Sequence, residues 1–181
     1  MTHVIPGELV LPFREDARRR EAFEQCVAAH RQRVLRTAYR LLGDLTDAQD
    51  AAQEVFLRLF KQLDRIEGDP QAWLYRVTVN VSHDHLRRRR PAREATPEAA
   101  GDWPDPAPGP FRILELEERK RLLMEALAKL TERERAAVVL RDIEGLATRE
   151  VPQIMDVEEV TVRSQISIAR LKLAKYVRAR M

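Results

Sequence analysis

The chain has 181 residues, 44% hydrophobic and 34% charged, with a formal net charge of +3 and a single cysteine, Cys26. That is too apolar for a disordered polymer and too poor in cysteine for a disulfide framework or a cysteine-ligated zinc site. No stretch approaches the ~20 apolar residues of a membrane span, and the opening MTHVIPGELVLPF lacks the basic start and long apolar run of a signal peptide, so the expectation is a cytoplasmic protein with no membrane insertion.

Aromatic residues make up only 6% of the chain, so a core must rest on Leu, Val, Ile and Ala, a mix that suits helices. Residues 1–16 show no clear period and read as an N-terminal extension. From Phe23 to Leu42 apolar residues recur at three- and four-residue steps, which predicts a helix that Gly43 stops. A second helix carries Ala48, Ala51, Ala52, Val55, Phe56, Leu59, Phe60 and Leu63 on one stripe, with Asp44 and Asp47 at its positive N-terminal end. A third starts near Pro70, presents Trp73, Leu74, Val77, Val81 and His85, and ends in the arginine run before Pro91.

Residues 91–110, PAREATPEAAGDWPDPAPGP, hold six prolines and two glycines. That density breaks helices and strands and reads as a semi-rigid extended linker, with Trp103 an unexpected aromatic inside it. It divides the chain into units 17–90 and 111–181. In the second unit Leu116 to Leu130 form one helix, and Thr131 with Glu134 is a capping-box pair opening the next over 133–142. Gly145 punctuates, Thr148 is placed to cap a short helix ending at Met155, and a long helix follows a turn at 156–158. Short helix, tight turn and longer basic helix is the order of a helix-turn-helix. The fold class is therefore all-α, as two helical domains joined by a Pro-rich linker.

Charge is unevenly spread. Residues 42–70 carry seven acids against three bases, residues 87–93 carry five arginines and no acid, and residues 158–181 carry six bases and two acids. One acidic and two basic surfaces suit a protein partner and a polyanion. Asp47, Asp50, Gln53, Glu54 and Arg58 share a helical stripe fit to dock a basic protein surface. Trp73, Tyr75, Arg76, Asn80, Asp84 and Arg87–Arg90 combine flat, amide and basic groups, as single-stranded DNA binding requires, and an amide such as Asn80 can read an extruded base. On the last helix Thr161, Arg163, Ser164, Ser167 and Arg170 offer hydroxyl and guanidinium groups to phosphates and base edges, with Val160, Ile166, Ala169 and Leu173 holding the helix on its domain. The chain carries no phosphate loop, GxGxxG, nucleophile elbow or HExxH. His83 and His85 sit ~200° apart around a helix and do not converge on one ion. No catalytic residue, metal or cofactor is expected.

Together the segments DAQDAAQEVFLRLFKQLDRIEGDPQAWLYRVTVNVSHDHLRRRR and ALAKLTERERAAVVLRDIEGLATREVPQIMDVEEVTVRSQISIARLKL resemble regions 2 and 4 of the sigma-70 family. Their order and short linker resemble the extracytoplasmic-function (ECF) subgroup. The resemblance implies a factor that binds core RNA polymerase, through the clamp helices of the β′ subunit and the β flap, and that recognises −10 and −35 promoter elements and promotes melting. Asp47, Asp50, Gln53 and Glu54 would face the clamp helices, with Phe56 in the core. Residues 64–71 would shape −10 specificity. Asn80 would line a flipped-base pocket, and Arg76, Asp84, Arg87 and Arg88 would approach the −10 region. Thr161, Arg163, Ser164, Ser167 and Arg170 would face the −35 element. An anti-sigma factor is implied as a further partner.

The sequence departs from the family pattern at Pro152, expected to delay or bend its helix, at Asp156 and Glu159, where glycines are usual, and at Gln165 and Ile168, where bases are common. The linker fits the geometry. Promoter elements two DNA turns apart lie about 70 Å from each other, and residues 88–110 as polyproline-like chain span roughly 70 Å at ~3.1 Å each. Free of polymerase, the two units are expected to be able to fold against each other. Two other readings compete: a helix-turn-helix regulator acting on duplex DNA without a sigma role, and a nucleic-acid enzyme using His83, Asp84 and His85.

Overall fold

The computed structural model describes residues 11–89 and 110–180, and among these residues the regular structure is entirely helical. The N-terminal unit holds α1 (Leu11–Leu42), α2 (Leu45–Gln62), a 3-10 turn (Leu63–Arg65) and α3 (Gln71–Arg89). The C-terminal unit holds α4 (Pro110–Leu127), α5 (Glu132–Val138) continued by a π-helical segment (Val139–Ile143), α6 (Val151–Met155) and α7 (Glu159–Arg178). The expected linker, Trp103 included, lies outside the described residues apart from Pro110, which opens α4. Residues 1–10 lie outside them as well. The extension expected up to Asp16 is nonetheless helical from Leu11 onward.

Local chemistry explains the N-terminal unit. Gly43 adopts φ +77 and its N–H donates to the Tyr39 carbonyl at 2.8 Å, a left-handed stop that a side chain would strain. Asp44 then caps α2 by accepting from the Asp47 N–H at 2.9 Å. Along α2, Ala48, Ala51, Val55 and Leu59 are wholly buried against Val34, Ala38 and Leu42 of α1 and Leu74, Val77 and Val81 of α3. Phe60 departs from the expected buried stripe. It is 45% exposed, because α2 turns it toward the overhanging half of α1, where the Phe23 ring meets it edge-on at 5.2 Å. Arg19 stacks over the Phe60 ring, donates to its carbonyl at 2.8 Å and pairs with Asp64 at 3.2 Å, closing the C-terminal end of α2.

In the C-terminal unit the capping box forms: Glu134 N–H donates to Thr131 Oγ1, and Thr131 N–H to Glu134 Oε2. The helix it opens starts at Glu132 and is encased, every residue from Glu134 to Leu140 being buried. Thr148 does not cap the short helix. Its hydroxyl accepts from Arg141 Nε at 3.0 Å, and Glu150 instead accepts from the Ala147 N–H. Helix α6 begins only at Val151, after a turn at 148–150, which places Pro152 in its first turn, where no helical N–H bond is lost. Asp156 takes the left-handed turn conformation at φ 53, which the short polar side chain of aspartate tolerates better than most.

The two units pack together. C-terminal helix α6 lies on α3, while α4, α5 and the π segment meet α1. Leu41, Tyr75 and Val79 join the apolar cluster of the C-terminal unit. The Arg135 guanidinium, nearly buried, donates to the carbonyls of Leu127 and Leu130 in its own unit and to that of Leu41 at 2.6 Å across the boundary. The Glu144 carboxylate in turn collects Thr37, Arg40 and Tyr75.

Candidate functional site

The inner face of α2 is fixed by its buried alanines, valine and leucine, so its outer face is presented in one orientation. Asp50 and Gln53 are exposed on it. Glu54 is half-buried and engaged, accepting from Arg58 at 2.5 Å with His85 Nε2 at 3.6 Å. Asp47 is drawn toward α3 by an ion pair with Arg89, which also lies 3.6 Å from Asp44. The acidic stripe is therefore divided: Asp50 and Gln53 project outward, while Asp47 and Glu54 also tie α2 to α3. Leu57, 62% exposed, stands beside them one turn along, an apolar centre that periodicity gave no reason to select. Phe56 is half-buried against the N-terminal core.

Helix α3 is buried on two sides. Leu74, Val77 and Val81 face α1 and α2, whereas Tyr75 and Val79 face the C-terminal unit. What remains is a narrow outer strip on which Arg76, Asn80, Arg87 and Arg88 are exposed and Asp84 is half-buried, paired with Arg87. Just before it, the segment containing Asp64, Arg65, Glu67, Gly68 and Asp69 is exposed; Gly68 turns at φ +74 and Asp69 accepts from the Gln71 N–H. The two neighbouring histidines diverge. His83 faces Glu132 of the C-terminal unit, and burial pushes its imidazole below the ordinary value, while His85 faces Glu54. Among the described residues no cluster of His, Cys, Asp and Glu is arranged to hold a metal ion.

Helix α7 is anchored by Val162, Ile166 and Ala169, with Leu173 packed behind them. Val160, expected to anchor it, is 74% exposed. Its place is taken by Val162, which alone keeps helical step with Ile166 and Ala169, whereas Val160 lies ~200° around the axis from Val162. The opposite side presents Arg163, Ser164, Ser167 and Arg170, all exposed, with Thr161 half-buried at the start. Arg163 pairs with Glu159 at 2.5 Å. Arg170 forks onto Asp142 at 2.6 and 2.9 Å, and those hydrogen bonds hold the Asp142 carboxyl below its usual range. Arg141, Thr148, Arg163, Ser167, Arg170 and Leu171 line an open cleft along this side. Arg141 escapes a search for basic stretches because it sits alone before Asp142, outside the C-terminal basic run.

The strips on α2, α3 and α7 are thus one acidic-polar surface with an apolar centre and two basic-polar surfaces, each backed by packed core. Residues 26–92 match sigma-70 region 2, and residues 120–173 match sigma-70 region 4. The chain is 38% identical over 172 residues to the ECF RNA polymerase sigma factor SigE of Mycolicibacterium smegmatis, covering 94% of this chain and 67% of that one. It is 31% identical to the RNA polymerase sigma-H factor of Pseudomonas aeruginosa, covering 86% of each. In fold it is similar to the sigma factor RpoE of Bartonella quintana, solved in complex with the anti-sigma factor NepR: the TM-score is 0.69 at 20% identity, over 86% of this chain and 96% of that one. Among the described residues no helix is long and apolar enough to cross a membrane. Regions 2 and 4 in this order, on this fold and with relatives of this kind, identify the chain as a member of the extracytoplasmic-function sigma factors of the sigma-70 family, which act in transcription initiation.

Proposed function

We propose that this sigma factor divides its work among the three exposed strips. The outer face of α2 docks the polymerase clamp helices through Asp50 and Gln53, with Asp47 and Glu54 at its margin. The outer strip of α3 takes the melted −10 strand, Asn80 reading an extruded base while Arg76, Arg87 and Arg88 hold phosphates and Asp84 stands at the upstream edge. Helix α7 enters the −35 major groove with Arg163, Ser164 and Ser167, while Thr161 and Arg170 contact its backbone. The units carrying these strips span 17–90 and 111–181, with 91–110 as tether. The observation that carries this reading is that each strip is polar and exposed on a helix anchored in core by a buried stripe, Ala48, Ala51, Val55 and Leu59 on α2, Leu74, Val77 and Val81 on α3, and Val162, Ile166 and Ala169 on α7, so the groups are pre-positioned at little entropic cost.

The chemistry belongs to the polymerase, and the chain is not itself an enzyme. It works in the cytoplasm, where its DNA and polymerase are, and an anti-sigma protein is its regulator, as NepR is for the structural relative. Two substitutions on surface positions test the assignment in run-off transcription with core enzyme. Asp50→Arg is expected to weaken core binding at least tenfold, or about 1.4 kcal/mol, with unchanged helicity. Asn80→Ala is expected to impair initiation on duplex promoter far more than on a premelted −10 bubble. Tight binding of the protein alone to duplex DNA, with no promoter-specific transcript on adding core enzyme, would favour a conventional helix-turn-helix regulator instead.

A further inference from the structure

We propose that the Glu144 carboxylate is an interdomain latch that holds the free protein closed, in a form too short to meet both promoter elements. This regulation rests on the function proposed above. The Glu144 side chain keeps only 8% of its exposure. It accepts from Thr37 Oγ1 at 3.0 Å, Arg40 Nη1 at 2.5 Å and Tyr75 Oη at 3.0 Å, donors 69 to 107 residues away and all in the other unit. Burial and the facing carboxylate keep the Tyr75 phenol protonated as a donor, its pKa raised well above the usual tyrosine value.

The rest of the contact is partly apolar. The N-terminal unit gives Leu41, Tyr75 and Val79 to the shared apolar cluster, and Arg135 adds one bond across the boundary. A contact that is partly polar is of the kind that lets domains separate. On opening, Glu144, Thr37, Arg40 and Tyr75 all take water as partner, so no polar group is stranded without a hydrogen bond. The apolar patch around Leu41, Tyr75 and Val79 is what opening exposes, and its burial favours the closed form until polymerase holds the units apart.

Closure does not work by covering the interfaces. Asp50, Gln53, Arg76, Asn80, Arg163, Ser164 and Ser167 all stay exposed in the closed form. What closure fixes is distance. A compact body of ~150 residues has a radius of gyration of roughly 15 Å and hence a diameter of about 40 Å. The two promoter elements are about 70 Å apart. The closed protein engages one element or the other, and only the open one can use the full tether. The closed fraction therefore lowers apparent affinity for the whole promoter complex in proportion to the population that must open.

Small-angle scattering on the full chain, without polymerase, reads the latch directly. Wild type is expected near a radius of gyration of ~16 Å, and Glu144→Ala near ~25 Å, as for two bodies on a flexible tether, with helicity unchanged by circular dichroism. Arg40→Glu is expected to open the protein as well, and Arg40→Glu with Glu144→Arg to close it again, a rescue that simple loss of stability cannot give. An expanded wild type, or Glu144 and Arg40 variants as compact as wild type, overturns the latch. In run-off transcription at limiting sigma factor, Glu144→Ala is expected to reach half-maximal transcript at a three- to tenfold lower concentration than wild type. Identical concentration dependence from a protein shown to be open overturns the regulatory role. Absence of promoter-specific transcript from both proteins refutes the sigma assignment of the strips, while the scattering still decides the latch.

Discussion

Arg135 offers the sharpest test of how the C-terminal unit is held together. Its guanidinium reaches the Leu127 carbonyl at 2.9 Å, the Leu41 carbonyl at 2.6 Å and the Leu130 carbonyl at 3.3 Å, while the residue as a whole is 9% exposed. Two of these carbonyls belong to the last turn of α4 and the short connection after it, where helical acceptors are left over. Arg135→Met keeps the stem and removes the fork. Hydrogen bonds to a charged group contribute about 1.5–3 kcal/mol each, so three give a gross loss of about 4.5–9 kcal/mol. Against this, several kcal/mol are recovered because a guanidinium no longer has to be stripped of water. A net destabilisation of about 3 kcal/mol is expected, and at ~2–4 °C per kcal/mol for a chain of this size it lowers the melting temperature by ~6–12 °C. Urea titration of wild type and variant, followed by far-ultraviolet circular dichroism, gives the free-energy difference from the shift of midpoint at equal slope. A difference below about 1 kcal/mol would refute the reasoning, because the three bonds would then barely outweigh the dehydration of the charge that makes them.

Three other outcomes follow from local geometry. Thr131→Ala removes the hydroxyl that accepts from the Glu134 N–H and is expected to cost about 1 kcal/mol in the same titration. At Asp156, φ 53, replacement by Gly is expected to be neutral or to stabilise by up to ~0.5 kcal/mol, whereas Val, forced into the left-handed region, is expected to cost at least ~1 kcal/mol. Burial pushes His83 below its ordinary value of 6.5; Glu132 and Asp84 pull the other way, and Arg133 acts with burial. Unfolded chains then bind more protons than folded ones once the pH drops below the ordinary value, so this group costs nothing above it and lowers stability as pH falls from there toward the depressed value. Melting temperatures between about pH 7 and pH 5.5 are expected to fall more steeply for wild type than for His83→Gln, and parallel curves would remove His83 from the account.

Helices with one buried face and helices with more were both legible as helices, α3 and α5 included, but only those with one buried face also showed which residues the core covers. Helix α2 shows an apolar stripe because only one side meets core, and its Asp44 cap and Gly43 boundary are local chemistry. Helix α3 packs on both units, so Tyr75 and Val79 blur the three-four repeat that Leu74, Val77 and Val81 would otherwise give. The capping box marks where α5 starts, but encasement hides its faces in the same way, since seven consecutive buried residues carry no period, and the π segment that extends it has no signature in residue type. Periodicity misjudged Val160 and Phe60 for the opposite reason: an apolar residue at a helix end, or one covered only in part by an overhang as Phe60 is by Phe23 and Arg19, is counted as core. Arg135 and Glu144 were invisible because in a chain with 34% charged residues two more charges stand out only when their partners, about a hundred residues away for Leu41 and Arg40, are known.

The sequence also overstated how much positive charge the proposed DNA surfaces hold free. Arg87 is paired with Asp84, Arg163 with Glu159 and Arg170 with Asp142, each acid lying on the same unit as its arginine. These exposed pairs contribute at most about 1 kcal/mol each, so a phosphate or guanine edge can displace them, but every contact begins by losing that amount. A bidentate base contact worth about 1–3 kcal/mol is thereby reduced, whereas a non-specific phosphate contact comes close to neutral. Self-pairing thus suppresses random binding more than correct binding and leaves either module weak alone. On the function proposed above, useful affinity then comes from joining the modules through polymerase and the proposed tether, where the second contact is made at high effective concentration. That dependence is what separates a factor working only within a larger assembly from a regulator that grips duplex DNA unaided.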